Sequence, residues 1–335
     1  MPEESRILAI LAKLGVNTTR IRWRMYQWEK RWKGFTPEKA VPVQLRWMRW
    51  PHKTCMHCGA LVDREARACP KCGGRMPSMI SYRIMRILGI LSPEGSPVTI
   101  GAFLFLMWLF FGLGLLMQGA SFLMAPKGFT LYVFGAWSVE WILKEKEFWR
   151  YLSFGLCHIG ILHIGFNTMA LLQTGPVIES HIGKARMLVV ITVTQITATA
   201  ATFAWYHRVV QNDDMMTAGA SGWLFGLIGF GIAYFWDQVG AARAYRDVLV
   251  RWAIYALIFG YFMGANNAAH VGGLIGGLAL GIIREPNART AKAASRIWNI
   301  AAAISLCLWI VTLVYMTDSI ISNWTPGGIP PRSLE

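Results

Sequence analysis

The sequence is short of charge. Of 335 residues only 15% are Asp, Glu, Lys or Arg, against 54% apolar, which is far from the balance of a soluble globular domain. The shortage is also uneven. None of the four charged types occurs in 95–126, 151–178, 187–207, 215–236, 252–283 or 297–317. Uncharged runs of about 20 residues cross a hydrocarbon core of about 30 Å. Two ordinary soluble domains, which the length alone would allow, are therefore excluded, and an all-α polytopic membrane protein is expected. Acid is scarcer than base, with 18 Asp and Glu against 33 Lys and Arg. Cysteine is scarce as well, six in all, four of them bunched between 55 and 72.

The 252–283 run contains "GYFMGANNAAH", whose Gly and Asn residues read as a turn. It divides into two helices, the first starting near Tyr245 with Arg246, Asp247 and Arg251 snorkelling at its end. Seven spans result. No apolar run precedes residue 95, so no cleavable signal peptide is expected. Residues 1–97 carry 18 Lys and Arg against 7 Asp and Glu. With alternating spans, the remaining loops on that side (176–186, 237–251, 284–296) carry 9 basic residues and the opposite side 6. The excess predicts a cytoplasmic N-terminus and an outside C-terminus. A bacterial cytoplasmic membrane is the expected location.

At the soluble end, "CMHCGALVDREARACPKCGG" holds Cys55, Cys58, Cys69 and Cys72. Two Cys-x-x-Cys pairs, each followed by Gly, suit a tetrahedral structural zinc, each knuckle supplying two thiolates. The gap between pairs is short for such motifs but admits a small ribbon. A pair of disulfides does not fit the expected cytoplasmic side, where thiols stay reduced. His57 reads as a bystander, and Cys157 and Cys307 as buried apolar residues. Upstream, "TTRIRWRMYQWEKRWKGF" mixes base with Trp23, Trp28 and Trp32. It fits a helix on an anionic membrane surface, a nucleic-acid contact, or a structural helix packing its tryptophans on neighbours; nucleic acid is the least favoured of the three.

Polar side chains recur where polarity is costly. "CHIGILHIGFN" carries His158, His163 and Asn167 into the second span, "AGASGW" opens the fourth with Ser221, and "NNAAHVGGLIGG" opens the sixth with His270. On the charge-derived topology all three groups lie toward the outer leaflet. Gly273, Gly277 and Gly281 after His270, and Gly222, Gly226 and Gly229 after Ser221, let the fourth and sixth spans approach backbone to backbone. A serine hydroxyl becomes a nucleophile when a neutral histidine takes its proton. The oxyanion that follows needs preorganised donors. His163 and Asn167, four apart, share one helical face, and the Ser221 N–H at a helix start lacks an intrahelical partner. Phe225, one turn below Ser221, is placed to pack on the His270 ring. No Asp or Glu lies at this depth to orient the histidine, so a dyad rather than a triad is expected. Taken singly, each residue would read as ordinary packing; the combination carries the chemistry. The polar groups do not continue to the other face, which argues against a channel.

With "FWRYLSF" before the second span, "HIGILHIGFN" within it, "GASGWLFGLIGF" in the fourth and "NNAAHVGGLIGG" in the sixth, the sequence resembles the rhomboid family of intramembrane serine proteases over roughly 98–284. The resemblance implies a six-helix core with a seventh helix added, and transmembrane proteins as substrates, cut near the outer end of the helix without a cofactor. It implies Ser221 as nucleophile and His270 as base. It also implies an oxyanion hole from His163, Asn167 and the Ser221 backbone, with His158, Gly219, Gly222 and Phe225 in support. Trp149 and Arg150 match the tryptophan–arginine pair of the family's first loop, a structural element. Phe225 stands where tyrosine is frequent, so that hydroxyl is dispensable or replaced here.

The expected plan is a basic Trp-rich segment (1–50), a zinc ribbon (51–78), a linker (79–97), the six-helix core (98–284), a linker and seventh helix (285–317) and a flexible tail (318–335). The alternative function is a non-proteolytic chaperone or adaptor that binds transmembrane helices, with the ribbon recruiting a cytosolic partner.

Overall fold

The computed structural model describes residues 52–55, 60–82, 97–283, 291–325 and 327–328. The basic segment with its three tryptophans, His57, Cys58, and most of both linkers lie outside the described residues. The ribbon region is a two-stranded antiparallel sheet, β1 (His52–Thr54) on β2 (Leu61–Asp63), with Lys53 opposite Val62. Lys53 is buried, its ammonium donating to the carbonyls of Ala66 at 2.5 Å and Pro77 at 3.0 Å. Loss of water lowers its pKa below the usual lysine range.

The remainder is helical. In order come α1 (Val98–Gln118), α2 (Gly128–Val133), α3 (Val139–Leu143), α4 (Arg150–Ser153), α5 (Gly160–Ala204), α6 (Ser221–Tyr234), α7 (Gly240–Phe262), α8 (Asn267–Gly281) and α9 (Ala291–Ser322). Residues 98–118, 160–210 and 295–322 are long and apolar enough to cross a membrane by themselves. The second of these makes two passes. Gly183, at φ 76° and ψ 165°, breaks α5 into two arms, a backbone state that a side chain would forbid. Both free ends return to one level, since His163 lies against Gly219 and Thr202 binds Asn266. With α6, α7, α8 and α9 the described residues make seven passes, as the charge gaps and the turn within 252–283 predict. The charged first turns of α7 and the brevity of α8 keep those two below the apolarity of a free-standing span.

Helix α6 is short. Its 14 residues reach about 21 Å at 1.5 Å per residue, against about 30 Å of hydrocarbon. The chain leading into it is therefore extended, and backbone at that depth has to be satisfied by protein. Thr217 exchanges both backbone hydrogen bonds with Trp137 (2.8 and 2.9 Å), and the Gly219 N–H donates to Phe154 O at 2.8 Å. The first loop, 119–159, thus forms the wall beside the start of α6.

Two buried charges brace this frame. Glu179 accepts from the Thr99 and Ile100 N–H groups at 2.8 and 3.0 Å. These are unpaired donors at the N-terminus of α1, where negative charge is favoured. Arg150 is fully buried: Nε donates to Glu147 at 2.6 Å and Nη1 to Tyr132 O and Ala136 O, both at 2.8 Å. The rings of Tyr132, Trp141 and Trp149 lie 4.3–4.8 Å from its guanidinium carbon, so cation–π attraction replaces lost hydration. The tryptophan–arginine pair is thus a pin inside the first loop.

Two expectations need adjustment. Helix α9 continues to Ser322, past the boundary at 317, because the exposed Asp318 can stay helical. Beyond it the Gly327 N–H donates to Met117 O at 2.8 Å and Lys127 Nζ to Gly327 O at 2.7 Å. Cys157 is buried as expected, but Cys307 is exposed on α9.

The α6–α8 contact is backbone on backbone. A Cβ at Gly273 would lie 1.9 Å from Gly222 O, and one at Gly277 1.9 Å from Gly226 O, which leaves room for hydrogen alone. Gly277→Val should therefore destabilise the protein by about 1–3 kcal/mol or more. Gly112→Ala, which meets nothing within 4 Å, should be near neutral. Thermal unfolding of both variants in detergent checks the contrast.

Candidate active site

Ser221 opens α6 and His270 lies in the first turn of α8, so the glycine contact brings them side by side. Ser221 Oγ stands 2.9 Å from His270 Nε2. The other ring nitrogen, Nδ1, is 2.9 Å from Asn267 Oδ1, and Asn267 Nδ2 donates to Leu257 O at 3.0 Å. The second bond fixes the amide, so its oxygen faces the ring. An amide oxygen only accepts, which places the imidazole proton on Nδ1 and leaves Nε2 to accept from the serine. Phe225 stacks on the same ring, centroids 4.3 Å apart and planes at 13°. The ring is held at both nitrogens and on one face.

Asn266 anchors the turn before α8. Its Oδ1 accepts from the Ala269 N–H at 3.1 Å, an N-cap, while Nδ2 donates to Thr202 at 3.0 Å and Thr217 at 3.1 Å. One side chain thereby ties α8 to α5 and to the strand-like entry of α6.

Facing Ser221 is the start of α5. The Ile159 N–H donates to His163 Nδ1 at 3.2 Å, so in the neutral ring Nε2 carries the proton. The ring edge lies against Gly219: a Cβ there would stand 2.6 Å from His163 Cε1 and 2.8 Å from Nε2, and φ is +136°. Only glycine fits. Asn167 is buried, and among the described residues its Nδ2 meets no hydrogen-bond partner. A buried amide donor without a partner is costly and is what a site that supplies a donor to a ligand would hold ready. His158 bonds Leu156 O through Nδ1 at 3.1 Å and accepts from the Ala220 N–H through Nε2 at 3.5 Å, so it supports the serine's own turn. Trp223 donates to Gly155 O at 3.3 Å, and Gly222 packs on Ala198 of α5.

The sequence alone does not single out Asn267. It sits in "NNAAH" and carries turn propensity, and its role depends on the Leu257 carbonyl of the preceding helix. An amide oxygen here does the orienting work for which a carboxylate would be sought.

At the other end, Cys55, Cys69 and Cys72 hold their sulfurs within 4.8 Å of one another, and Cys55 Sγ lies 3.6 Å from Cys72 Sγ. Zn–S bonds of about 2.3 Å in a tetrahedron put sulfurs about 3.8 Å apart, so the donor set fits zinc. Cys58, the expected fourth ligand, lies outside the described residues.

The family model described as the Rhomboid domain matches residues 145–287. The rhomboid protease GluP of Bacillus subtilis (strain 168) is 32% identical over 153 residues, which is 44% of this chain and 28% of that protein. The rhomboid protease GlpG of Salmonella choleraesuis (strain SC-B67) is 27% identical over 225 residues, 64% of this chain and 73% of that protein. The chain therefore spans little over a quarter of the Bacillus relative's length. The matched stretch contains Ser221, His270, His158, His163 and Asn167; α1, α9 and the ribbon lie outside it.

Asn267→Ala frees the ring of His270 at Nδ1. Reaction of Ser221 with a fluorophosphonate should slow about tenfold or more, followed as the labelling rate, while Asn267→Asp should retain much of it.

Proposed function

We propose that the protein is an intramembrane serine endopeptidase that cuts transmembrane-helix substrates through a Ser221–His270 dyad, with Asn267 as a positioning residue. The observation that carries this reading is the 2.9 Å approach of Ser221 Oγ to a His270 nitrogen whose partner nitrogen is already bonded to Asn267.

In the proposed cycle Oγ attacks the scissile carbonyl carbon as its proton passes to Nε2. The oxyanion is met by the Ser221 N–H, His163 Nε2–H and Asn167 Nδ2. As the C–N bond breaks, imidazolium returns the proton to the leaving amine. Water then attacks the acyl ester, with His270 again taking and returning the proton. No cofactor is needed for these steps. The orphaned Asn167 donor and the seating of His163 against Gly219 support the oxyanion assignment. The charge excess of the N-terminal side supports a cytoplasmic N-terminus, with the dyad toward the outer leaflet of a bacterial cytoplasmic membrane.

The ribbon is proposed to hold one structural zinc through Cys55, Cys58, Cys69 and Cys72. Such a closed thiolate shell staples a small fold and leaves no coordination position for chemistry. It is also proposed as the contact for a cytosolic partner.

Ser221→Ala or His270→Ala should lower cleavage of a reconstituted transmembrane substrate by at least about 1,000-fold, read as fragment release. Cleavage that survives Ser221→Ala removes the nucleophile assignment. Helix binding by the parent protein without cutting would favour an adaptor. Metal analysis of the purified full chain should find about one zinc per chain. The double substitution Cys69→Ser with Cys72→Ser should lose it and leave the chemistry at Ser221 intact.

A further inference from the structure

A concavity lies where the end of the first loop meets α9. It encloses about 530 Å³, with Glu145, Lys146 and Phe148 on the loop side and Leu308, Val311 and Tyr315 on the helix, within the range of small-molecule sites. The three α9 residues fall at i, i+3 and i+7, one stripe down the helix, and each is roughly half exposed. Only 17% of the apolar stretch of α9 is buried within the protein. In a bilayer, therefore, the molecules that meet this stripe are lipids.

The loop side adds charge. Glu147 is taken by Arg150 at 2.6 Å, but among the described residues neither Glu145 nor Lys146 has an ion-pair partner. Lys146 is also strained. Its φ of 56° is left-handed, which residues with a side chain avoid unless the surroundings hold them there. Its carbonyl accepts from the Phe148 N–H at 2.9 Å, closing a tight turn that sets a cation beside an anion at the edge of an apolar stripe.

We propose that this groove binds a zwitterionic membrane phospholipid, with its phosphate on Lys146, its ammonium on Glu145 and an acyl chain along Leu308, Val311 and Tyr315. Neighbouring opposite charges match the neighbouring charges of such a headgroup. A purely anionic lipid would meet Glu145 at a cost, and inorganic phosphate would gain nothing from the stripe. The seventh helix thereby supplies one wall of a lipid site whose other wall is the loop that Arg150 pins. The site is independent of the chemistry at Ser221.

The test uses the full chain in nanodiscs, with phosphatidylethanolamine carrying a photoreactive acyl chain, and maps the cross-links by mass spectrometry. Labelling should concentrate at 308–315. Lys146→Gln and Val311→Trp should each reduce it about fivefold, with unchanged circular dichroism and thermal melting showing that the variants fold. Phosphatidylglycerol bearing the same chain should label less, and inorganic phosphate should not compete. Labelling spread evenly along α9 and indifferent to Lys146→Gln would mean annular lipid only and would overturn the proposal. So would equal labelling by phosphatidylglycerol, or displacement of the lipid by a transmembrane peptide that labels the same residues.

Discussion

A hydroxyl and an imidazole 49 residues apart in the chain meet at 2.9 Å because two helix backbones touch without intervening side chains. Everything at the candidate site follows from that contact. Glycine on α8 alternates between two neighbours: Gly273 and Gly277 face α6, while Gly272 and Gly276 face Ala201 and Thr197 on α5. The helix is therefore clamped on both sides, and the ring it carries at its first turn inherits the precision of close-packed backbone rather than of mobile side chains. Phe225 and Asn267 then only have to set the ring's rotation.

The first loop performs the complementary task. Membrane interiors tolerate irregular backbone only when protein satisfies it, and the extended entry into α6 is irregular. The pairing of Trp137 with Thr217 and the bond from Gly219 to Phe154 O meet that demand. The loop holds its own shape through Arg150, buried among three aromatic rings and bonded to two carbonyls. A charge so deep is tolerable because Glu147 and the rings replace water. Ser153, donating to Gly135 O at 2.8 Å, and Thr199, donating to Tyr151 O at 2.8 Å, fasten the same loop to itself and to α5.

Much of this was legible from residue order. Five of the six gaps in charge mark one pass each, since the hydrocarbon core sets both their length and their lack of ions, and the sixth, 252–283, marks two because its Gly and Asn turn divides it. Four-residue glycine spacing foretells the α6–α8 contact because helical periodicity puts those positions on one face. The stacking of Phe225 on His270 follows from the same geometry. Other features depend on partners far along the chain. Glu179 looks like the ion that ends an apolar run, and its work of capping α1 involves donors about 80 residues away. Asn267 reads as turn chemistry until a neighbouring carbonyl fixes which way its amide faces. Propensity sees neighbours in sequence; these roles belong to neighbours in space. The exposure of Cys307 reflects a second limit, because apolar residues on a lipid-facing helix gain nothing from turning inward.

The brevity of α6 has one more consequence. Hydrophobic mismatch in a peripheral helix is settled by deforming the surrounding bilayer. Here the mismatched helix is central, with twelve of its fourteen residues from Gly222 to Ala233 enclosed. Lipid does not reach the missing turns, so the shortfall of about 9 Å is made up by protein, the chain entering α6 and the first-loop backbone paired with it. A span shortened at the centre is thus completed by loop backbone, and the bilayer around it has no mismatch to absorb.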